Sequence, residues 1–234
     1  MAAAKTNLVL VPGLLCTRAL WAPQAEALGD IAEVGIVDHT RHDSMPAIAR
    51  SILAAAPARF ALAGLSMGGY IAYEIVRQAP DRVTRLALLD TGSRADAPER
   101  TAARRELIAF AEREGTRKTQ AQLMPVLIHK ARLADKPLVE TIERMGADTG
   151  VEAFKRQQTA LMGRPDNRPF LSSIRCPTLV LVGREDALTP VELSQEIAAG
   201  IPGAKLEIVP DCGHLSTMER PEAVNRALRD WLTA

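Results

Sequence analysis

The chain is poor in the features that several classes of protein require. Its three cysteines, Cys16, Cys176 and Cys212, are too few and too irregularly spaced for a disulfide framework, so we expect no disulfide and a reducing, cytoplasmic compartment. No apolar run is long enough to cross a membrane. The cysteines and the four histidines lack metal-ligand spacing, so neither a metal nor another cofactor is expected.

The chain also lacks an excess of charge of either sign. Its 29 lysines and arginines nearly balance 28 aspartates and glutamates, which gives a net charge of +1. Binding to nucleic acid or to an anionic membrane usually requires a basic tract, so we expect neither as a partner. A chain of 234 residues can form one large core, and we therefore expect a single core and a small-molecule ligand.

Six short apolar runs are typical of buried parallel strands. They lie at residues 7–11, 33–37, 59–63, 85–89, 178–182 and 205–209. Stretches with helical spacing fall around and between them, at residues 17–28, 44–55, 67–79, 190–199 and 221–232. This alternation of strand and helix predicts an α/β fold with a doubly wound, mostly parallel sheet.

Residues 93–173 interrupt the alternation. They show no strand pattern, and instead contain charged, amphipathic helical stretches at 97–114, 116–129, 136–147 and 151–162. An ordinary crossover between parallel strands needs only one helix. We therefore predict a helical cap at 93–173, inserted into a core formed by residues 1–92 and 174–234, with an ordinary crossover as the alternative.

The stretch GLSMG at residues 64–68 lies where the third predicted strand meets a predicted helix. This G-x-S-x-G pattern is typical of a tight turn that forces its central residue, Ser66, outward. Ligands gather at the carboxyl ends of parallel strands, and a helix N-terminus favours negative charge on a nearby oxygen. Ser66 is therefore predicted to be a nucleophile, and the alternative is a serine that only caps the helix.

A nucleophilic serine needs a general base, which is itself oriented by a carboxylate. His214, in the loop after the last predicted strand, is the predicted base, and His42 is its rival. Asp186, just beyond the fifth strand, is the predicted acid, and Asp90, at the end of the fourth strand, is the fallback. The order serine, acid, histidine is that of one hydrolase fold and differs from the orders of two familiar protease folds.

Four stretches together resemble the α/β-hydrolase superfamily, and specifically its small, capped, esterase-like or enol-lactonase-like members. They are LVLVPGLLCTRALWAPQ, FALAGLSMGGYIAYEIVRQAPDRVTRLALLDT, CPTLVLVGREDALTP and VPDCGHLSTMERPEAVNRAL. The resemblance spans nearly the whole chain, and it implies that the first two strands of the fold are absent and that the cap is a lid over the acyl pocket. It further implies an oxyanion hole formed by the backbone amides of Leu14 and Met67, although Pro12 replaces the family's usual histidine in that loop.

The pocket is predicted from side chains that adjoin these positions or lie in the cap. Those candidates are Leu15, Trp21, Met67, Met124, Leu127, Leu161, Met162, Leu188 and Leu215. The predicted function is hydrolysis of a small to medium carboxylic ester through an acyl-enzyme. Hydrolysis of an enol-lactone, a thioester or a carbon–carbon bond, acyl transfer, and ligand binding without catalysis remain alternatives on the same scaffold.

Overall fold

A computed structural model describes residues 5–234, which form a six-stranded sheet with helices on both faces. The strands are β1 (Thr6–Val11), β2 (Ala32–Ile36), β3 (Phe60–Leu65), β4 (Val83–Leu89), β5 (Thr178–Gly183) and β6 (Lys205–Val209). They are ordered β2-β1-β3-β4-β5-β6, and each neighbouring pair is parallel. The prediction of a doubly wound parallel sheet is thus confirmed.

The helices follow the predicted periodicity closely. They are α1 (Ala22–Leu28), α2 (Met45–Ala55), α3 (Met67–Gln78), α4 (Pro98–Glu114), α5 (Thr116–Leu127), α6 (Lys136–Thr149), α7 (Val151–Met162), α8 (Arg168–Leu171), α9 (Val191–Gly200), α10 (Ser216–Glu219) and α11 (Pro221–Thr233). The sequence did not reveal α8 and α10, because four residues are too few to show a period. Within residues 5–234, no helix is both long and apolar enough to cross a membrane.

Alternating side chains of the strands build a core on each face of the sheet. Leu8 and Leu10 of β1 belong to a buried cluster with residues of α1 and α11, whereas Val9 and Val11 belong to one with α2 and α3. Successive side chains of a strand point to opposite faces, so a continuous apolar run such as that of β1 can be buried on both sides.

The strand order places a crevice beside β1 and β3. Since β2 lies on one side of β1 and β3 on the other, the winding of the chain reverses between these two neighbours. Loops that follow the two strands diverge at such a point, and ligands bind there in open α/β sheets. The loop at residues 12–16 follows β1, and Ser66 follows β3.

The segment between β4 and β5 contains helices α4 to α8 and no strand. We refer to residues 98–171 as the cap segment. Its C-terminal part contacts the residues that precede it, since the backbone nitrogen of Asn167 donates to the carbonyl of Ser93 at 2.7 Å. Arg164 also pairs with Asp96 through side chains that are almost completely buried, which ties the end of α7 to the residues just before α4.

The turn between β3 and α3 depends on the absence of side chains at two positions. A Cβ atom at Gly64 would overlap the carbonyl of Gly68, and one at Gly68 would overlap the carbonyl of Val11 in β1. The backbone segments at these two glycines therefore approach each other and β1 more closely than a residue with a Cβ atom allows. Ser66, between the glycines, takes a φ of 55° and a ψ of −114°.

We predict that Gly64→Ala lowers the free energy of unfolding by at least about 2 kcal/mol, because the added methyl group meets backbone atoms that cannot move without shifting α3. Urea denaturation measures this loss. The matched control is Gly35→Ala in β2, where the nearest atom to a new Cβ is 3.9 Å away, and the expected change is below about 1 kcal/mol. Equal losses in the two variants would contradict the steric account.

Candidate active site

Ser66 is held by hydrogen bonds to the end of β4 and the residues after it. Its backbone nitrogen donates to the carbonyl of Leu89 at 2.9 Å, and the hydroxyl of Thr91 donates to the carbonyl of Ser66 at 2.8 Å. These contacts hold the backbone of Ser66 in its positive-φ conformation. The hydroxyl of Ser66 is thus presented at the N-terminus of α3.

A continuous hydrogen-bonded chain joins Ser66, His214 and Asp186. Nε2 of His214 lies 2.8 Å from Oγ of Ser66, and Nδ1 lies 2.8 Å from Oδ2 of Asp186. The three residues follow β3, β6 and β5, at the carboxyl edge of the sheet. The structure therefore brings together three residues that are 120 and 28 positions apart in the sequence.

The carboxylate of Asp186 is held in one orientation by its own loop. Oδ1 accepts the backbone N–H groups of Leu188 and Thr189, both at 2.9 Å, and Oδ2 accepts the hydroxyl of Thr189. Glu185 beside it points elsewhere, and its carboxylate accepts the backbone N–H of Cys212 at 2.9 Å. Only one of the two adjacent acids can therefore reach His214.

Charge within this buried group shifts the pKa of each member. Burial of the His214 ring opposes its charged form, but the acidic groups of Asp186, Asp90 and Glu219 together outweigh burial and raise the pKa of His214 above its ordinary value. Burial likewise opposes ionisation of Asp186, but His214 and the hydrogen bonds from Thr189 together outweigh it and lower the pKa of this acid. The pair thus favours a charged imidazole beside a charged carboxylate.

Asp90, the fallback acid, lies near the pair but has other partners. Its carboxyl group accepts the backbone N–H of Gly183 at 2.9 Å and is hydrogen-bonded to the hydroxyl of Ser216. Complete burial, reinforced by the charge of Asp186, raises the pKa of Asp90 to about 8. Asp90 is therefore largely protonated at neutral pH and makes no hydrogen bond to His214.

The loop that carries His214 is braced by the cap segment. The carbonyl of Leu127, at the end of α5, accepts the backbone N–H groups of His214 and Leu215, both at 3.1 Å. The buried carboxylate of Glu219 bridges the same two segments, since it accepts the N–H of Gly213 at 3.0 Å and that of His129 at 2.7 Å. The histidine loop and the cap segment are thus joined by four backbone donors.

Gly213 serves this brace by its small size. The φ of Gly213 is not positive, so no left-handed conformation requires a glycine here, but a Cβ atom would lie 2.6 Å from the backbone nitrogen of His129. The glycine is needed because two backbone segments touch. The close approach, and not flexibility, accounts for this residue.

Two backbone amides are further candidates: Leu14 lies in the loop after β1, and Met67 follows Ser66 directly at the start of α3. Within residues 5–234, neither amide donates to a protein acceptor. The next amide, that of Leu15, is occupied, because it donates to Oε1 of Gln157 at 3.2 Å. The loop is anchored further by His39, whose Nε2 lies 3.0 Å from the carbonyl of Gly13.

The remaining histidines lie away from Ser66. His39 is buried, and burial lowers its pKa to about 4, so the ring is neutral at physiological pH. His42, the rival base, is exposed in the loop before α2 and lies outside the cavity at Ser66. His129 caps the short turn after α5 and contributes its backbone N–H to the brace.

A cavity of about 140 Å³ opens at Ser66 and His214, between the sheet and the cap segment. Four of the predicted pocket residues line it: Leu127, Leu161, Leu188 and Leu215. The other predicted residues, Leu15, Trp21, Met67, Met124 and Met162, do not line it. Position in the sequence did not reveal which way these side chains point: Leu15 packs against Ala111 and Phe154, while Trp21 and Met124 belong to a buried core cluster.

Polar residues of the cavity were missed by the sequence analysis. Arg100 and Arg104 of α4, Gln120 of α5 and Gln158 of α7 contribute to its wall, as does Tyr70 of α3. Charged residues on an amphipathic helix usually face water, so the presence of arginine and glutamine in these helices did not indicate a cavity wall. The only available signal was the four-residue spacing of the two arginines, which places them on one face of α4.

The structure shows no donor set for a metal ion. Within residues 5–234, no group of three or more histidine, cysteine, aspartate or glutamate side chains could hold one. Cys16 lines the cavity, but burial raises the pKa of its thiol to about 12, so a thiolate nucleophile is disfavoured at neutral pH.

Comparisons with known proteins identify the family to which this fold belongs. The model of a family described as alpha/beta hydrolases matches residues 8–227. RutD of Rhizobium rhizogenes is 29% identical to this chain, over 99% of it and 94% of that relative.

Two solved structures are similar to the chain over almost its entire length. A thermophilic esterase from Thermogutta terrifontis is 32% identical with a TM-score of 0.89, and the match covers 98% of this chain and 90% of that one. The enol-lactonase from Burkholderia xenovorans is 26% identical with a TM-score of 0.90, over 99% and 93% of the two chains. Sequence, sheet topology and these similarities lead to one conclusion: the chain belongs to the alpha/beta hydrolase family.

Proposed function

We propose that this hydrolase cleaves a small carboxylic ester through an acyl-enzyme, with Ser66 as nucleophile, His214 as general base and Asp186 as orienting acid. One observation carries the proposal. The hydroxyl of Ser66, at the mouth of a cavity, lies 2.8 Å from a histidine nitrogen whose other nitrogen contacts a buried carboxylate. This is the geometry needed to activate a serine hydroxyl.

The first step is attack of Ser66 on the ester carbonyl. As the bond between Oγ and the carbonyl carbon forms, Nε2 of His214 takes the hydroxyl proton. Asp186 accepts the hydrogen on Nδ1, which fixes the tautomer that leaves Nε2 free, and it stabilises the imidazolium that results. Breaking the bond to the leaving oxygen then requires a proton, and His214 supplies it.

Negative charge develops on the carbonyl oxygen during attack. The amides of Leu14 and Met67 are assigned to this oxygen, because Leu14 lines the cavity, Met67 directly follows Ser66, and neither amide donates to a protein acceptor within residues 5–234. Two such donors, fixed in advance by a folded backbone, stabilise the tetrahedral intermediate more than mobile water would. Met67 also begins α3, so the helix dipole acts in the same direction.

Water completes the cycle by the same route. His214 removes a proton from a water molecule, the water oxygen bonds to the acyl carbon, and Oγ of Ser66 leaves with the proton returned by His214. The products are a carboxylic acid and an alcohol. A lactone would follow the same steps with its alcohol still attached, and the similarity to an enol-lactonase supports this as a second candidate substrate class.

The cavity favours a short substrate. Its volume of about 140 Å³ is close to that of an engineered protein cavity of about 150 Å³ that accepts benzene. Leucines form much of the wall next to Ser66, which suits the carbon skeleton of a small acyl group. The cap segment covers this space, and we assign to it the role of a lid.

Replacing Ser66 or His214 by alanine is expected to lower kcat/KM for p-nitrophenyl acetate and butyrate by about a thousandfold or more, because the two residues act as one unit. Initial rates of p-nitrophenol release measure the loss. Esters from acetate to decanoate, tested on the native protein, would locate the preferred chain length, which we expect at four carbons or fewer.

The matched control is Ser93→Ala, since Ser93 is a buried serine after β4 that contacts Glu196 instead of a histidine. Its activity should stay within about twofold of the native value. Native-like activity in folded Ser66→Ala or His214→Ala protein would refute the assigned roles.

The pH dependence follows from the raised pKa of His214. The base must be neutral to accept a proton, so kcat/KM should fall as the pH drops through this pKa, with a midpoint above the ordinary histidine value of 6.5. Asp186→Asn removes the charge that raises the pKa. Its midpoint should therefore move to lower pH, and kcat should fall by about a thousandfold or more. Identical midpoints in the two proteins would contradict the pairing.

A further inference from the structure

The cavity has one wall that ester hydrolysis does not require. Arg100, Arg104, Gln120 and Gln158 of the cap segment form this polar wall, which we call the cap wall. Among the described residues that line the cavity, none is an aspartate or a glutamate. The part of the cavity contributed by the cap segment therefore offers positive charge and hydrogen-bond donors, with no acid of its own to balance them.

Arg104 is held with one of its nitrogen atoms unused. Its Nε lies 3.1 Å from Oδ1 of Asp96, and its Nη1 donates to Oε1 of Gln158 at 2.7 Å. Within residues 5–234, no protein acceptor pairs with Nη2. The guanidinium is thus oriented by two partners, and its Nη2 remains available to donate a charge-assisted hydrogen bond to a carboxylate.

The charged groups around Arg104 carry a net positive charge. Asp96 is shared with Arg164, whose Nη1 lies 2.5 Å from the same carboxylate oxygen, so two guanidinium groups face one acid. Arg100 adds a third positive charge; it donates to the carbonyl of Leu188 and forms no ion pair within residues 5–234. An anion in the cavity would offset this imbalance.

The amides of the cap wall show the same lack of acceptors. Nε2 of Gln158 and Nε2 of Gln120 are buried without a hydrogen-bond partner, and both side chains are at most 1% exposed. The orientation of Gln158 is fixed, because its oxygen already accepts from Arg104. Buried donors normally have partners, so unpartnered donors beside a cavity indicate a ligand that carries acceptor oxygens.

Attachment of the cap segment does not explain Arg104. That role falls to Arg164, which also donates to the carbonyls of Arg94 and Leu161 and stacks on the ring of Tyr70. Arg164 is almost fully buried and does not line the cavity, whereas Arg104 does. Two arginines thus share one acid, and only one of them is positioned to meet a substrate.

We propose that the cap wall binds a carboxylate carried by the substrate, so that the ester cleaved at Ser66 is a half-ester or lactone of a short dicarboxylic acid, or an ester of a short hydroxy acid. The inference rests on the proposed function. Its chemistry is unchanged: the carbonyl carbon bonds to Oγ, the leaving oxygen departs with the proton from His214, and the distal carboxylate takes no part. That carboxylate orients the substrate through Arg104 and the glutamine amides.

The test compares isosteric substrates. Monomethyl glutarate and methyl glutaramate differ only in a carboxylate or a carboxamide on the acyl side. Carboxymethyl acetate and carbamoylmethyl acetate differ in the same way on the alcohol side. The native protein should prefer the anionic member of one pair by at least about tenfold in kcat/KM, and the preferred pair identifies which side of the ester reaches the cap wall.

Arg104→Met should abolish most of this preference, a reduction of about tenfold or more that acts mainly through KM. Arg104→Lys should retain part of the preference, because lysine keeps the positive charge but lacks the planar guanidinium group. The control is Arg105→Met on the same helix, since Arg105 is exposed and outside the cavity. It should leave the preference unchanged within about twofold. Titration calorimetry with glutarate provides a readout that needs no turnover, and Arg104→Met should weaken binding by at least about tenfold.

The outcomes separate the two proposals. Turnover of both members of each pair at similar rates, with glutarate binding absent or insensitive to Arg104, would overturn the carboxylate site and leave ester hydrolysis standing. Glutarate binding that requires Arg104, without turnover of any ester, would support the site and count against the proposed function. Absence of both turnover and binding would overturn the two together.

Discussion

The close approach of three backbone segments constrains the whole site. At the end of β3, the chain turns into α3 with Gly64 against Gly68, and Gly68 against the carbonyl of Val11 in β1. This contact places Ser66 in a left-handed conformation at a helix N-terminus, and it also brings the loop after β1 beside the serine. Because β1 and β3 are adjacent where the winding reverses, the sheet itself sets the distance between the proposed nucleophile and its proposed oxyanion donors.

The histidine half of the site depends on the cap segment. The backbone N–H groups of His214 and Leu215 donate to the carbonyl at the end of α5. The carboxylate of Glu219 accepts one N–H group from the histidine loop and one from the residues just after α5. A displacement of α5 would thus disturb His214 directly, whereas Ser66 is anchored to the sheet through Leu89. The same cap segment supplies the cap wall of the cavity. The position of His214 and the proposed recognition of the substrate therefore both depend on how the cap segment packs on the sheet.

Much of this arrangement is predictable from sequence, because it follows from local patterns. Apolar runs identified the strands, and the turn motif together with loops after strands identified Ser66, Asp186 and His214. Other features depend on packing between distant segments. Asp90 and Asp186 both follow strands, and only the folded chain shows that Asp186 bonds to His214 while Asp90 bonds to Ser216. The cap wall was not predicted for the same reason: Arg104 resembles a solvated helix residue until α7 packs beside it.

The central claim is that Ser66 is the activated nucleophile. The most direct measurement is peptide mass mapping after treatment with an organophosphate such as diethyl p-nitrophenyl phosphate, which phosphorylates a serine only when a neighbouring base activates it. The account predicts one adduct per chain, on the peptide that contains Ser66, and no adduct in His214→Ala. A folded native protein that takes no label, or that takes it on a different residue, would contradict the account.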